Sequence, residues 1–159
     1  MSFKRGGFIQ DRFTQGLVAA IIGWVPQMLV MQTLHWIFHA TKFQYLDFMA
    51  VLAFDRRPHG ILEFLFAEFL VVAVLGTAGS IFAMLVKVIS SRNLLIKGAI
   101  YGGSVWFVLY TIVILYKIEG VYGKIDFPTA FFDMMGAVIY GIFLAWGLLY
   151  LERKYGVEN

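Results

Sequence analysis

The sequence predicts an all-α, polytopic integral membrane protein. It is expected to be one transmembrane domain over residues 1–159, with four transmembrane helices and a short interfacial helix in the first outer loop. Three observations predict it. Of 159 residues, 60% are hydrophobic and 14% charged, whereas a soluble domain carries about 25% charged residues and a soluble core of this size cannot hide so much apolar surface. Four apolar stretches each come near the ~20 residues needed to cross a hydrocarbon core. Those stretches lack the alternation of barrel strands, and only helices or closed barrels satisfy their backbone in lipid.

The first span runs from about Gly16 to Phe38. Its apolar run exceeds the 7–15 residues of a signal-peptide core, and no small-x-small cleavage pattern follows promptly, so it reads as a retained helix. The loop after it holds "FQYLDFMAVLAF" (Phe43 to Phe54), apolar but too short to span. That segment is expected to lie in the outer interface as a short helix or to dip in as a re-entrant piece. "DRRPHG" (Asp55 to Gly60) turns the chain into the second span, with Pro58 and Gly60 as breakers. The second span runs from about Ile61 to Val86, the third from Gly98 to Tyr116 and the fourth from Pro128 to Leu151.

Four spans put both termini and the middle loop on one side. Of the 13 basic residues, that side holds Lys4, Arg5, Arg12, Lys87, Arg92, Lys97, Arg153 and Lys154. The other side holds Lys42, Arg56, Arg57, Lys117 and Lys124. The positive-inside rule therefore predicts cytoplasmic termini. The net charge of +3 reports orientation and contact with anionic lipid. No basic cluster is dense enough for nucleic acid, and the lipid bilayer is the first expected partner.

A charge at the bilayer centre costs at least ~2.5–3.5 kcal/mol on insertion scales, so each ionisable residue inside a span asks for a reason. Glu68 is the clearest. A rise of 1.5 Å per residue puts it ~12 Å below the outer end of the second span, among Phe64, Leu65, Phe66, Phe69 and Leu70. It is expected to face the bundle interior and to hydrogen-bond Gln32, His35 or Asp133. Asp133 lies in the first turns of the fourth span, in the same outer half. Met28, Gln32, His35 and His39 follow 4-3-4 spacing, which places them on one stripe of a helix. Such a stripe should face the protein interior or a water-filled crevice. Gln27 sits beside it, and Pro26 removes a backbone donor one turn away.

His35 and His39, four apart on a helix, are the candidate metal ligands, with outer-half carboxylates to complete the set. The spacing lacks the intervening Glu of a metalloprotease HExxH: it reads His35-Trp36-Ile37-Phe38-His39. Haem would need ligands from opposite faces, and only His59, in a loop, remains. No cofactor is expected. With no Cys in the chain, disulfides, thiolate metal sites and cysteine nucleophiles are excluded. There is no GxxxxGK[ST] loop and no GxSxG elbow, so no enzyme is expected.

Small residues recur at four-residue spacing: Gly16 and Ala20, Gly76 and Ser80, Gly98 and Gly102, Ala99 and Gly103, and Ala137, Gly141 and Ala145. They predict close-packed helix faces, within the chain or between copies. Gly16 and Trp24 share the spacing of Gly98 and Trp106. This suggests two tandem helical hairpins about a pseudo-twofold axis along the membrane normal. The stretches "GLVAAIIGW", "YLDFMAVLAFDRRPHGILE" and "SSRNLLIKGAIYGGSVWFVLY" give a layout that resembles small four-span membrane proteins of Gram-positive bacteria, of the YqhR-like kind. The resemblance covers most of the chain and implies a bacterial cytoplasmic membrane location, with no activity and no functional residues attached.

These readings favour a non-enzymatic accessory or scaffold component that self-associates or binds a membrane partner. A small oligomeric transporter or channel with a protonatable outer-half site is the alternative, followed by a metal- or haem-binding membrane protein. The first is preferred because the ionisable groups inside the spans cluster in the outer half, whereas a conduction path needs polar groups along its length.

Overall fold

A computed structural model describes residues 11–89, 92–119 and 121–156. Among them the chain forms five helices: α1 (Arg12–Trp36), α2 (Tyr45–Phe54), α3 (Gly60–Ile89), α4 (Leu94–Leu115) and α5 (Phe127–Tyr155). Four are long and apolar enough to cross a membrane, and α2 is the short helix expected in the first loop. The chain is therefore an all-helical protein of the multi-pass membrane type.

Local chemistry sets the helix ends. The Asp11 carboxylate accepts the Thr14 N–H at 2.9 Å and starts α1. Asp126 does the same for α5 through Thr129 N–H at 3.2 Å, with Pro128 in the first turn. The Asp47 carboxylate accepts the Gln44 N–H at 2.9 Å at the start of α2. The helices outrun the apolar stretches on the side of the termini, called the inner side, where Arg12, Lys87 and Arg153 remain helical; the side of the α1–α3 loop is called the outer side. At its outer end α1 does the opposite. It stops at Trp36, and His39 takes a left-handed backbone, φ 49°. The expected end at Phe38 is too late, because the apolar run continues into the turn that follows the helix.

α1 lies between α3 and α5, and α4 packs on the far side of α5. α3 and α4 meet chiefly through Tyr101, whose Oη donates to the Ala78 carbonyl oxygen at 2.6 Å and whose ring lies 4.9 Å from that of Phe82, so the square of four long helices has one loosely closed side. The small-residue faces make the closed sides. A Cβ added at Gly16 would lie 2.5 Å from the Ser80 Cα, and one at Gly79 would lie 2.5 Å from the Ala20 Cβ. At Gly98, Gly102 and Gly141 an added Cβ would run into the facing backbone of the α4–α5 pair. Both hairpins therefore pack as the spacing predicts. The pseudo-twofold axis is not present. It would exchange α1 with α4 and α3 with α5, so the broad α1–α5 contact would require an equal α3–α4 contact.

α2 occupies the outer mouth of the bundle. Seven consecutive residues, Tyr45 to Val51, are buried, so the helix is covered on all sides over its first two turns, as its uniformly apolar sequence requires. Phe48 packs on Tyr110 of α4, ring centroids 5.5 Å apart. Leu46 and Ala50 pack on Ala67 of α3. The loop before α2 is tied to α5: Lys42 N–H donates to Thr129 Oγ1 at 2.9 Å, and Lys42 Nζ pairs with Asp126 at 3.0 Å. The turn after α2 is held by Arg56, whose two terminal nitrogens reach the Glu63 carboxylate at 2.7 and 2.8 Å. At the inner end, Arg12 pairs with Glu152, and Gln15 Nε2 donates to the Gly156 carbonyl at 2.7 Å.

Candidate functional site: an outward-facing polar crevice

The polar residues singled out in the outer half fall into two groups on either side of α2. The first is built on Asp133. Its place in the second turn of α5 puts it against α4 and α2, and it is 0% exposed. Tyr110 Oη donates to Asp133 Oδ2 at 2.5 Å, and Tyr45 Oη donates to the Asp133 carbonyl oxygen at 2.9 Å. Asp133 Oδ1 has no partner. This group is enclosed by aromatic and aliphatic side chains, and below α2 it borders an apolar cavity of about 140 Å³ lined by Phe48, Met49, Leu109 and Val113.

The second group is built on Glu68. α3 carries Glu68 toward α1, where Gln32 Nε2 donates to Glu68 Oε1 at 3.4 Å. Trp24 lines the same cavity as Glu68. Gln32 Oε1 in turn accepts from Trp36 Nε1 at 2.7 Å. Of the three partners anticipated for Glu68, the structure selects Gln32. Asp133 belongs to the other group. His35 lies further out, with Nδ1 3.2 Å from Thr41 Oγ1.

Glu68, Gln32, Gln27 and Gln44 line a chamber of about 20 Å³ with Trp24 and Met31, space for about one or two waters. Gln27 is 3% exposed, and its Oε1 has no partner. Gln44 and Leu46 also wall a wider vestibule of about 400 Å³, which His35, Asp47, Arg57 and Phe64 line on the outer surface. Gln44 and Leu46 line both cavities, so chamber and vestibule are adjacent parts of one crevice on the side of the α1–α3 loop, with Glu68 in its inner part. Burial pushes the Asp47 carboxyl above its ordinary value, opposed by its bond from the Gln44 backbone and by the charges of Arg57 and His35. Arg57 is held by the Lys42 carbonyl at 2.7 Å and by the Phe43 ring, 4.3 Å from its centroid.

The stripe of Met28, Gln32 and His35 does face this crevice. His39 does not continue it, because α1 ends at Trp36 and His39 is exposed in the turn beyond. The two histidines therefore lack the i, i+4 relation on which a shared metal was considered. Among the described residues no three His, Asp or Glu side chains converge as a metal-binding group. Sequence reasoning passed over Tyr45, Tyr110, Gln44 and Asp47. The two tyrosines reach Asp133 across 88 and 23 residues of chain, and nothing in local spacing marks them. Gln44 and Asp47 carried a signal, a polar pair three apart at the start of a short apolar helix.

No family model, no curated protein and no solved structure matches this chain.

Proposed function

We propose that the protein is a non-enzymatic accessory or scaffold component of a bacterial cytoplasmic membrane, with both termini in the cytoplasm. In this reading it takes a transmembrane helix of a second polypeptide, either another copy or a different membrane protein, against the loosely closed α3–α4 side. The observation that carries this is the composition of that side. Four small residues, Ala73, Thr77, Ala78 and Ser104, line a lateral groove of about 580 Å³ together with larger ones that include Ile81, Tyr101 and Val108. Elsewhere the outer face carries large apolar residues: Leu62 is 79% exposed, Phe69 64% and Ile100 66%. Small residues on an exposed helix face permit close helix approach in lipid. Thr77 and Ser104 each donate to a carbonyl of their own helix, Ala73 and Ile100, at 2.9 Å, so neither hydroxyl needs water. The faces at Gly16, Gly79, Gly98, Gly102 and Gly141 are already used within the chain, which leaves this groove and the Ala99–Gly103 face for association.

A transport route through a single copy is disfavoured by what lies inward of the crevice. One turn below Gln27, a Cβ at Gly23 would lie 2.7 Å from the Tyr140 carbonyl oxygen. Tyr140 and Leu144 are fully buried there.

The chain has no Cys, so single cysteines report association cleanly. Thr77→Cys and Ser104→Cys should form covalent dimers, or adducts with one defined membrane protein, on oxidation or bifunctional cross-linking in native membranes. Leu62→Cys should remain monomeric. Monomer at all three positions, with lipid the sole cross-linked species, would overturn the proposal.

A further inference from the structure

We infer that the recess below α2, between α3 and α4, is a binding site for the end of one lipid acyl chain, entered sideways from the bilayer. Its shape follows from how α2 packs. α2 lies closely on α3 but reaches α4 chiefly through Phe48 on Tyr110. The gap beside that contact is the apolar cavity of about 140 Å³. Tyr45, Phe48, Met49 and Leu52, one stripe of α2 at helical spacing, cover it, and Tyr110 and Val113 of α4 wall it. Leu52, Val74 and Ile112 also line it and are 56%, 37% and 38% exposed, whereas Phe48, Met49 and Val113 are buried. The exposed three therefore frame a mouth on the side of the bundle. Val74 and Ile112 belong to membrane-spanning helices, so the mouth faces hydrocarbon.

The lining decides what can enter. All the accessible surface of the recess is apolar. The two hydroxyls carried by its walls are committed elsewhere: Tyr45 Oη donates to the Asp133 carbonyl oxygen and Tyr110 Oη to Asp133 Oδ2. A buried water needs about two to four polar partners, so water is excluded. An apolar cavity of about 150 Å³ stays dry and takes up a guest the size of benzene, so this one holds a few carbons and no headgroup. A transmembrane helix, about 10 Å across, is too wide for it. The material at the mouth is the hydrocarbon of the bilayer. A chain end that enters supplies the van der Waals partners that the walls otherwise lack. The recess adjoins the α3–α4 groove at Val74 and Leu109, but its filling requires no second polypeptide.

The test uses the full chain in nanodiscs that hold a single copy. The probe is a phosphatidylcholine with a diazirine at the end of one acyl chain, diluted in unlabelled phosphatidylcholine, and light-induced adducts are mapped by mass spectrometry. The expected result is saturable labelling at Met49, Leu109 or Val113, up to one lipid per chain. Leu62, 79% exposed, should instead be labelled in proportion to the probe, without saturation. Val113→Phe should fill the recess and abolish the interior adducts while those at Leu62 persist. Leu109→Trp, at the half-buried rim, should do the same with less demand on the core. Wild-type protein labelled at Leu62 but not in the recess would overturn the inference even if both variants fail to fold. So would folded Val113→Phe that keeps the interior adducts. Interior labelling that is present in single-copy nanodiscs but absent in native membranes would assign the recess to a partner's side chain, and would overturn it as well.

Discussion

The inner and outer halves of the bundle solve opposite problems with the same four long helices. In the inner half the facing residues are small, and the backbones close on one another: Gly98 and Gly102 against Gly141 and Ala137, Gly16 against Gly79 and Ser80. In the outer half the helices carry Gln27, Gln32, Glu68 and Asp133, which cannot be left facing lipid. There the chain inserts α2: Tyr45 bonds to the Asp133 group, and Gln44, just before α2, lines the cavity at Glu68. Close packing needs only a matching stripe of small residues. Burial of polar groups needs partners from several segments.

The comparison breaks most severely if the inner seal is opened. Gly102→Leu places a branched side chain where even a Cβ meets the Ala137 backbone. Overpacking costs typically 1–3 kcal/mol, and because backbone cannot rotate aside, a loss of about 3 kcal/mol or more is expected in chemical unfolding in detergent. A loss below about 1 kcal/mol would show that the α4–α5 contact is looser than described.

The next effect belongs to the outer half. Asp133→Leu leaves the Tyr110 hydroxyl without its acceptor and should cost about 1–3 kcal/mol, while Asp133→Asn keeps an acceptor and should cost less. The same unfolding assay ranks the pair. Equal losses would mean that Asp133 contributes volume and not a hydrogen bond.

The smallest effect sharpens the role of the outer loop. The Thr129 side chain, followed by Lys42, holds the Asp126 carboxyl down to about 2 from an ordinary 3.8. A depressed acid contributes stability above its unfolded value and loses it as pH falls through the folded one. The Asp126 cap and the Lys42 tie should therefore persist at neutral pH and weaken between about pH 4 and pH 2. The carboxyl carbon resonance of Asp126 should titrate in that window. A midpoint near 4 would mean that the tie is absent.

The parts of the structure legible in the sequence are those that depend on one segment at a time. Apolar length placed the four spans, and the apolar but short Phe43–Phe54 stretch announced α2. Rise per residue set Glu68 and Gln32 at compatible heights. What escaped depends on azimuth and on distant chain. Height alone cannot say that Glu68 turns to α1 while Asp133 turns to α4. The end of α1 escaped for a different reason: Ile37 and Phe38 extend the apolar run past the last helical residue, so hydropathy and helix part company. The small-residue stripes were legible as packing faces, but the asymmetry of their assembly was not, because nothing in either hairpin states that α3 and α4 meet less closely than α1 and α5.

The central claim is a polar crevice open to the outer side above a sealed inner half. Cysteine accessibility in this cysteine-free chain tests it most directly. Gln32→Cys and His35→Cys are exposed, one at a time, to a small membrane-impermeant thiol reagent in oriented vesicles. Both should react from the side of the α1–α3 loop and not from the opposite side. Ala19→Cys, at a position 0% exposed, should react from neither. Reaction of Ala19→Cys from either side, or protection of Gln32→Cys from both, would contradict the account.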